Sequence, residues 1–136
     1  AKFGLDFVAI CPKAHSLSHE DQETIKKLAA ECGTKVEFTD NVDEGIRGVH
    51  VVYADTWISM GQDAHKEAKL RDLQGYQVND ALMAKADPKA IFMHCLPAHR
   101  GEEVSESVMD GKQSVIFDEA ENRLHAQKAI LYTLMK

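Results

Sequence analysis

The stretch VHVVYA, residues 49–54, decides the fold class because it is rich in β-branched and aromatic residues. Runs of this kind are typical of strands that are covered on both faces, as strands are in parallel sheets. A second apolar run, AIFMHC, follows at residues 90–95. Helical patterns lie between the two runs, and one of them has an N-terminal cap at Asn79 or Asp80. Strands that alternate with helices predict βαβ units and a parallel sheet.

Three further strand-like runs extend this alternation toward both ends of the chain. They are DFVAIC, KVEFT and SVIFD, at residues 6–11, 35–39 and 114–118. The whole pattern predicts an α/β fold in three layers (αβα), with a mostly parallel, Rossmann-like sheet of about five strands. In such sheets, ligands bind at the carboxyl ends of the strands.

Local signals mark the ends of the first helices. Ser18 and Asp21 have the spacing of a capping box, and Gly33 is a plausible C-terminal stop. The segment AKFGL, residues 1–5, resembles the last turn of a helix that stops at Gly4. We therefore expect that further chain precedes this sequence.

The composition is that of one ordinary globular domain. The 136 residues are 44% hydrophobic and 28% charged, with a formal net charge of -6. This charge argues against broad binding of nucleic acid or of anionic membranes, which requires a basic surface. The three cysteines are widely spaced and fit a reducing compartment, and no apolar run has the length of a membrane span. We expect a cytoplasmic protein.

Polar residues with chemical potential follow three of the predicted strands. Asp55 follows the third strand, Cys95 and Leu96 follow the fourth, and Arg123 lies beyond the fifth. Because the carboxyl ends of parallel strands meet at one edge of a sheet, these residues are the candidates for a ligand site.

Cys95 has three possible interpretations. It is a buried core cysteine, a metal ligand together with His94 and His99, or a functional thiol at the edge of the sheet. Neighbouring residues on a strand point to opposite faces, which argues against a metal shared by His94 and Cys95. A nearby His or Arg would favour the thiolate. Composition alone leaves the choice between a structural and a functional cysteine open.

Asp55 begins the loop DTWISMG, residues 55–61. An acid directly after a strand is often only a cap. The large ring of Trp57 and the accessible backbone at Gly61 also suit a ligand-binding loop, in which Asp55 would bind an amine.

Arg123 lies in the predicted last helix, residues 119–136. It is either a solvated arginine paired with Glu119 four residues earlier or an oxyanion ligand near a helix N-terminus.

Three motifs together carry a family resemblance. DTWISMG, HCLPAHRGEE and FDEAENRLHAQKA, at residues 55–61, 94–103 and 117–129, resemble those of ornithine carbamoyltransferase. The resemblance covers the chain from its first residues to its last, but only the carboxyl-terminal, ornithine-binding half of that enzyme. It implies transfer of a carbamoyl group from carbamoyl phosphate to the δ-amino group of L-ornithine, which yields L-citrulline and phosphate.

The resemblance also implies roles for individual residues. Cys95 is the active-site cysteine, and Asp55 binds the amino groups of ornithine and lies near the thiol. Ser59 and the backbone of Met60 hold the amino-acid end of ornithine. Leu96 presents its main-chain carbonyl to the reacting amine and to the carbamoyl amide.

Further implications concern the phosphate side and the backbone. Arg123 contacts carbamoyl phosphate, and the Leu96-Pro97 peptide bond is expected to be cis. Asp55 and Cys95 would relay the amine proton without a covalent thioester. No metal and no organic cofactor is expected.

The sequence also departs from the family pattern. The amino-terminal domain with its phosphate-binding motif is absent, as is the first strand of the ornithine domain. Two alternatives to the enzyme therefore remain: a non-catalytic fragment that binds an amino acid or a partner, and a carbamoyltransferase for a related amine. The expected partners are L-ornithine and carbamoyl phosphate, and a homotrimer-based assembly is expected when the full protein is present.

Overall fold

A computed structural model describes residues 2–58 and 66–136, with only the backbone for Lys66. The chain divides into two compact units, each described by itself below. The first unit contains Ala1–Gly45 and Glu67–Tyr76, and the second contains Ile46–Lys66 and Gln77–Lys136.

The first unit is built around a parallel pair of strands. Strand β1 pairs with β2 in parallel, with Phe7 opposite Val36. Gly45 packs so closely on this pair that a Cβ atom there would lie 2.7 Å from the Ile10 side chain and 2.9 Å from that of Thr39. The elements of this unit are β1 (Phe7–Ile10), a 3-10 turn (Lys13–His15), α1 (His19–Glu31), β2 (Val36–Thr39), α2 (Val42–Gly45) and α3 (Lys66–Asp72), the last beginning one residue before the unit's second segment.

The predicted ends of α1 are confirmed. Ser18 is the N-cap, and its hydroxyl oxygen accepts a hydrogen bond from the Asp21 backbone N–H at 3.1 Å. The hydroxyl also donates to the Asp21 carboxylate at 2.6 Å. Gly33 follows the helix with φ +68°, a conformation that costs glycine little and other residues more.

The second unit contains a strand, a helix and a strand in that order. Strands β3 and β4 pair in parallel, with Ala54 opposite His94. The core of this unit includes the fully buried Phe92, Val104 and Ile116. The elements are β3 (Val51–Ala54), α4 (Asp80–Met83), β4 (Ile91–His94), α5 (Glu106–Met109) and α6 (Ile116–Leu134). Of the two predicted candidates for the N-cap of α4, Asn79 is the cap and Asp80 is the first helical residue.

The predicted fifth strand, residues 114–118, is wrong. Ser114 forms only an isolated parallel bridge with Phe92, and α6 begins two residues later. Ile116 is buried whereas Phe117 is 70% exposed, and Asp118 and Glu119 place acid in the first helical turn, which suits the positive end of the helix dipole.

The α/β class with parallel strands is therefore confirmed, and the strand count is corrected. In residues 2–58 and 66–136, four strands form two parallel, two-stranded sheets instead of about five strands. No helix in these ranges combines the length and the apolar character that crossing a bilayer requires.

Candidate functional site

The site forms where β3 and β4 end. Because Ala54 lies opposite His94 in the parallel pair, the next residues, Asp55 and Cys95, leave the two strands side by side. The Cys95 thiol donates a hydrogen bond to Oδ1 of Asp55 at 3.0 Å. Two residues that are 40 positions apart in sequence are thus brought together by strand register alone.

The Cys95 thiol is held in its protonated form. Burial, and then the hydrogen bond to the Asp55 carboxylate, raise the pKa of the Cys95 thiol. The expectation that a neighbouring His or Arg would favour the thiolate is therefore not met in this structure. The neighbour of the Cys95 sulfur is the Asp55 carboxylate, to which the thiol donates its hydrogen bond.

The backbone turns sharply after Cys95. Leu96 has φ +58°, a left-handed conformation that is uncommon for a residue other than glycine. The Leu96-Pro97 peptide bond is cis, as expected. The Leu96 N–H donates to Nδ1 of His94 at 2.9 Å, so this turn is held by the side chain that precedes it.

Two polar residues close to this turn, His94 and Glu103, are buried. His94 and Glu103 are each 1% exposed, and His94 Nε2 lies 3.4 Å from Oε1 of Glu103. Since Nδ1 accepts from the Leu96 N–H, the neutral ring carries its hydrogen on Nε2, toward the carboxylate. Oε1 of Glu103 accepts a hydrogen bond from the His99 N–H. Glu103 thus contacts both ends of the segment from His94 to His99.

Helix α6 contributes two polar side chains to the same place. Oε2 of Glu119 accepts a hydrogen bond from the His94 N–H at 3.0 Å. One turn later, Nη1 of Arg123 donates to the Cys95 carbonyl at 3.2 Å. Arg123 is exposed, and its guanidinium is directed toward the end of β4; its role as an oxyanion ligand stays a prediction.

Tyr53 lies beside this group on β3. It is 53% exposed, and burial of the remainder, followed by the neighbouring Glu119 carboxylate, raises the pKa of Tyr53 to about 12. Tyr53 therefore keeps its phenolic hydrogen at neutral pH and can serve as a donor.

The predicted site residues are brought together only in part. Asp55, Cys95, Leu96 and Arg123 meet at the ends of β3 and β4. Ser59 and Met60 lie outside the described residues, so their predicted roles stay predictions.

Sequence reasoning named His94 only as a possible metal ligand and Glu119 only as a possible partner of Arg123, and it did not single out Tyr53 or Glu103. His94 and Glu103 both lie within the HCLPAHRGEE motif, which was the available signal.

One group of potential metal ligands occurs among residues 2–58 and 66–136. A ligand atom of each of His99, Glu102 and Glu103 lies within 4.8 Å of the others. Two of these side chains already have protein partners, since Nδ1 of His99 lies 3.1 Å from the Thr56 hydroxyl and Glu103 accepts from the His99 N–H. The cluster that the sequence raised, with His94 and Cys95, is not this group. We infer no metal site from it.

Comparison with known proteins places the chain in a family. The family model described as "Aspartate/ornithine carbamoyltransferase, Asp/Orn binding domain" matches residues 1–134. An ornithine carbamoyltransferase of Caldicellulosiruptor saccharolyticus is 50% identical over 131 residues, which are 96% of this chain and 42% of that protein.

Solved structures agree with this similarity. The anabolic ornithine carbamoyltransferase of Campylobacter jejuni superposes with a TM-score of 0.90 at 39% identity, over 96% of this chain and 43% of that one. An N-acetyl-L-ornithine transcarbamylase superposes with a TM-score of 0.83 at 30% identity, over 98% of this chain and 41% of that one.

The chain thus spans less than half the length of the relatives it matches. Within that span the family model matches almost the whole chain, and Asp55 and Cys95 lie side by side at the ends of β3 and β4. The chain belongs to the family of aspartate/ornithine carbamoyltransferase Asp/Orn binding domains.

Proposed function

We propose that this chain is the ornithine-binding domain of an ornithine carbamoyltransferase. That enzyme transfers the carbamoyl group of carbamoyl phosphate to the δ-amino group of L-ornithine and yields L-citrulline and phosphate. The observation that carries the proposal is the 3.0 Å hydrogen bond from the Cys95 thiol to Asp55 at the ends of two paired parallel strands. The names of the similar proteins support the choice of reaction.

The site offers acceptors to an amine that must become a nucleophile. A protonated δ-amine would bind the Asp55 carboxylate and the carbonyl of Leu96, both of which accept hydrogen bonds. To attack, its nitrogen must lose a proton, and Asp55 is the base in reach. The protonated Cys95 thiol orients Asp55 and the amine, and it forms no bond to carbon.

The bond changes then balance without a further reagent. The amine nitrogen forms a bond to the carbamoyl carbon, the bond from that carbon to the phosphate oxygen breaks, and the phosphate leaves with the electron pair. The protonated amine gives up two protons in all: the one lost before attack leaves through Asp55 to solvent, and the one lost as the new C–N bond forms passes to the departing phosphate. A guanidinium such as that of Arg123 stabilises negative charge on the phosphate and carbamoyl oxygens.

The remaining parts of the proposed site come from the loop after β3 and from another domain of the whole protein. Ser59 and the backbone of Met60 would hold the amino-acid end of ornithine. Because the relatives are more than twice as long as this chain, we propose that another domain of the whole protein supplies most of the phosphate site. A homotrimer-based assembly and a cytoplasmic location complete the proposal.

A carbamoyltransferase for a related amine is the second candidate, because the chain is also similar to an N-acetyl-L-ornithine transcarbamylase. Ornithine is favoured, since identity reaches 50% with an ornithine carbamoyltransferase and 30% with that structure.

A substrate panel tests the proposal. The whole protein to which the chain belongs is incubated with carbamoyl phosphate and either L-ornithine or N-acetyl-L-ornithine, and the carbamoylated products are quantified. We expect product from L-ornithine. Product only from the acetylated amine would establish the second candidate, and product from neither would favour a non-catalytic binding role.

A further inference from the structure

The edge of β4 that does not pair with β3 is hydrogen-bonded to main-chain groups at Phe92 and to a side chain at His94. The Phe92 N–H donates to the Gln113 carbonyl at 2.8 Å, and the Phe92 carbonyl accepts from the Val115 N–H at 2.9 Å. These bonds run between main chains. They cannot continue, because the partner segment enters α6 at Ile116.

The next N–H on that edge belongs to His94. In an extended strand, residues two apart direct their N–H groups to the same side. The His94 N–H therefore needs an acceptor on the side where residues 113–115 bond to Phe92, but the chain has entered α6 by this point. Oε2 of Glu119 fills that position at 3.0 Å. A helix side chain therefore continues the hydrogen-bond ladder of the strand by one step.

The same carboxylate reaches the neighbouring strand. The interaction with Glu119 is one of the causes of the raised pKa of Tyr53, which lies on β3 opposite Met93. Glu119 lies in the first turn of α6 and is half-buried. It interacts with β4 through the His94 N–H and with β3 through Tyr53.

Arg123 lies on the same side of α6 as Glu119 and contacts the next peptide group of the strand end. The two residues are four apart, so they share one face of α6. With Glu119 attached to the His94 N–H, Arg123 reaches the Cys95 carbonyl at 3.2 Å. The helix thus engages two consecutive peptide groups of the strand end, one through an acceptor and one through a donor.

We propose that Glu119 is a positioning residue, whose carboxylate closes the ladder of β4 and thereby places Arg123 and Cys95 relative to each other. Its consequence for the reaction rests on the proposed function. Its consequence for the fold does not, because the ladder exists without substrate. These two consequences can be measured separately.

The ladder is tested by amide hydrogen exchange, followed by NMR on the isotopically labelled whole protein to which the chain belongs. In Glu119→Ala, the His94 amide loses its acceptor, and we expect it to exchange roughly tenfold faster, as for the loss of one hydrogen bond. The Phe92 amide, whose acceptor is the Gln113 carbonyl, is the internal reference and should keep its rate.

Three further variants separate the ladder from charge and from general loss of stability. Glu119→Gln retains a side-chain acceptor of the same length and should restore slow exchange at His94. Glu119→Asp keeps the charge but shortens the side chain, and should behave like Glu119→Ala. Glu121→Ala removes an exposed acid from the same helix, which is paired with His125 at 3.5 Å, and should change neither amide.

Two exchange results would overturn the proposal. One is an unchanged His94 rate in both Glu119→Ala and Glu119→Asp. The other is an equal acceleration of the His94 and Phe92 amides, which would mean that Glu119 supports only overall stability. Should Glu119→Ala fail to fold, Glu119→Gln and Glu119→Asp still give the decisive comparison.

Kinetics of the whole protein test the consequence for catalysis. We expect Glu119→Asp to raise the KM for carbamoyl phosphate by roughly tenfold through displacement of Arg123, with Glu119→Gln and Glu121→Ala near the unchanged protein. An unchanged KM together with accelerated His94 exchange would contradict the proposed effect of Glu119 on catalysis and support its role in the hydrogen-bond ladder of β4. Absence of citrulline from the unchanged protein would instead contradict the proposed function, while the exchange data still decide the ladder.

Discussion

The Cys95 sulfur lies 3.0 Å from Oδ1 of Asp55, and the two residues directly follow paired positions of parallel strands. The thiol is the donor and the carboxylate the acceptor, so the acid favours the thiol over the thiolate. This relationship distinguishes Cys95 from a nucleophilic cysteine, whose neighbours lower its pKa. It suits a residue that orients an acid and an amine.

Replacement of Asp55 by Asn should make Cys95 more reactive. The carboxylate raises the pKa of the thiol, so its removal lowers that pKa and increases the thiolate fraction at neutral pH. Alkylation rates measured against pH, with Cys11 and Cys32 replaced by Ser, should show a midpoint shifted to lower pH. Asp110→Asn is the matched control, because Asp110 pairs with Arg100. An unshifted midpoint in Asp55→Asn would contradict the assigned cause.

The same Asp55→Asn change should reduce citrulline formation by about 100-fold or more, the usual scale for a lost general base. Faster alkylation combined with slower turnover is the expected signature of an acid that both restrains the thiol and accepts the amine proton. Turnover that survives in Asp55→Asn would assign the base to another residue.

Two replacements of His94 should differ in their effects on the turn at Leu96. In His94→Asn, the amide oxygen lies where Nδ1 lies and can still accept from the Leu96 N–H. In His94→Gln, the longer side chain reaches toward Glu103 instead. We expect slow exchange of the Leu96 amide in the Asn variant and faster exchange in the Gln variant. The reverse order would show that the contact with Glu103, not Nδ1, holds the turn.

Core packing under the site should dominate stability. Phe92 is fully buried on β4, and Phe92→Ala should lower the free energy of unfolding by about 3–5 kcal/mol. Phe117→Ala is the matched control, because this side chain is 70% exposed and its loss should cost no more than about 0.5 kcal/mol. Urea denaturation measures both. Equal losses would mean that Phe117 is covered in solution.

The pair of Arg100 and Asp110 should contribute to stability only above acid pH. Arg100 donates to both carboxylate oxygens, at 3.1 and 2.8 Å, and lowers the pKa of Asp110 below its ordinary value of 3.8. A carboxyl group with a lowered folded-state pKa contributes stability above its unfolded pKa, and this contribution is lost as pH falls through the folded-state value. The urea midpoints of the unchanged chain and of Asp110→Asn should therefore differ at neutral pH and converge at acid pH. A constant difference would assign the effect to packing.

The sequence predicted the site edge better than the last strand. Asp55 and Cys95 were correctly expected to lie together because a residue after a parallel strand has a defined place, whichever helices connect the strands. The segment 114–118 was misassigned because Val115, Ile116 and Phe117 suit a strand and a helix start equally well by local pattern. Burial of Ile116 and exposure of Phe117 decide the matter, and both depend on the folded chain.

The supporting residues were beyond the reach of local pattern for a related reason. Glu119 on α6 bonds to the His94 N–H, a contact across 25 positions that no spacing rule contains. The contact of His94 with Glu103 likewise joins residues nine positions apart that only the folded chain brings together. The family resemblance predicted the cis Leu96-Pro97 bond, and the folded structure showed that the His94 side chain accepts a hydrogen bond from the Leu96 N–H.

Citrulline formation from carbamoyl phosphate and L-ornithine, compared between the unchanged whole protein and Cys95→Ser, tests the central claim most directly. Ser keeps a donor to Asp55 but with a shorter reach, so we expect citrulline from the unchanged protein and a rate lower by about 100-fold in the variant. Equal rates, or no citrulline from the folded protein, would contradict the claim that Cys95 and Asp55 form a carbamoyl-transfer site.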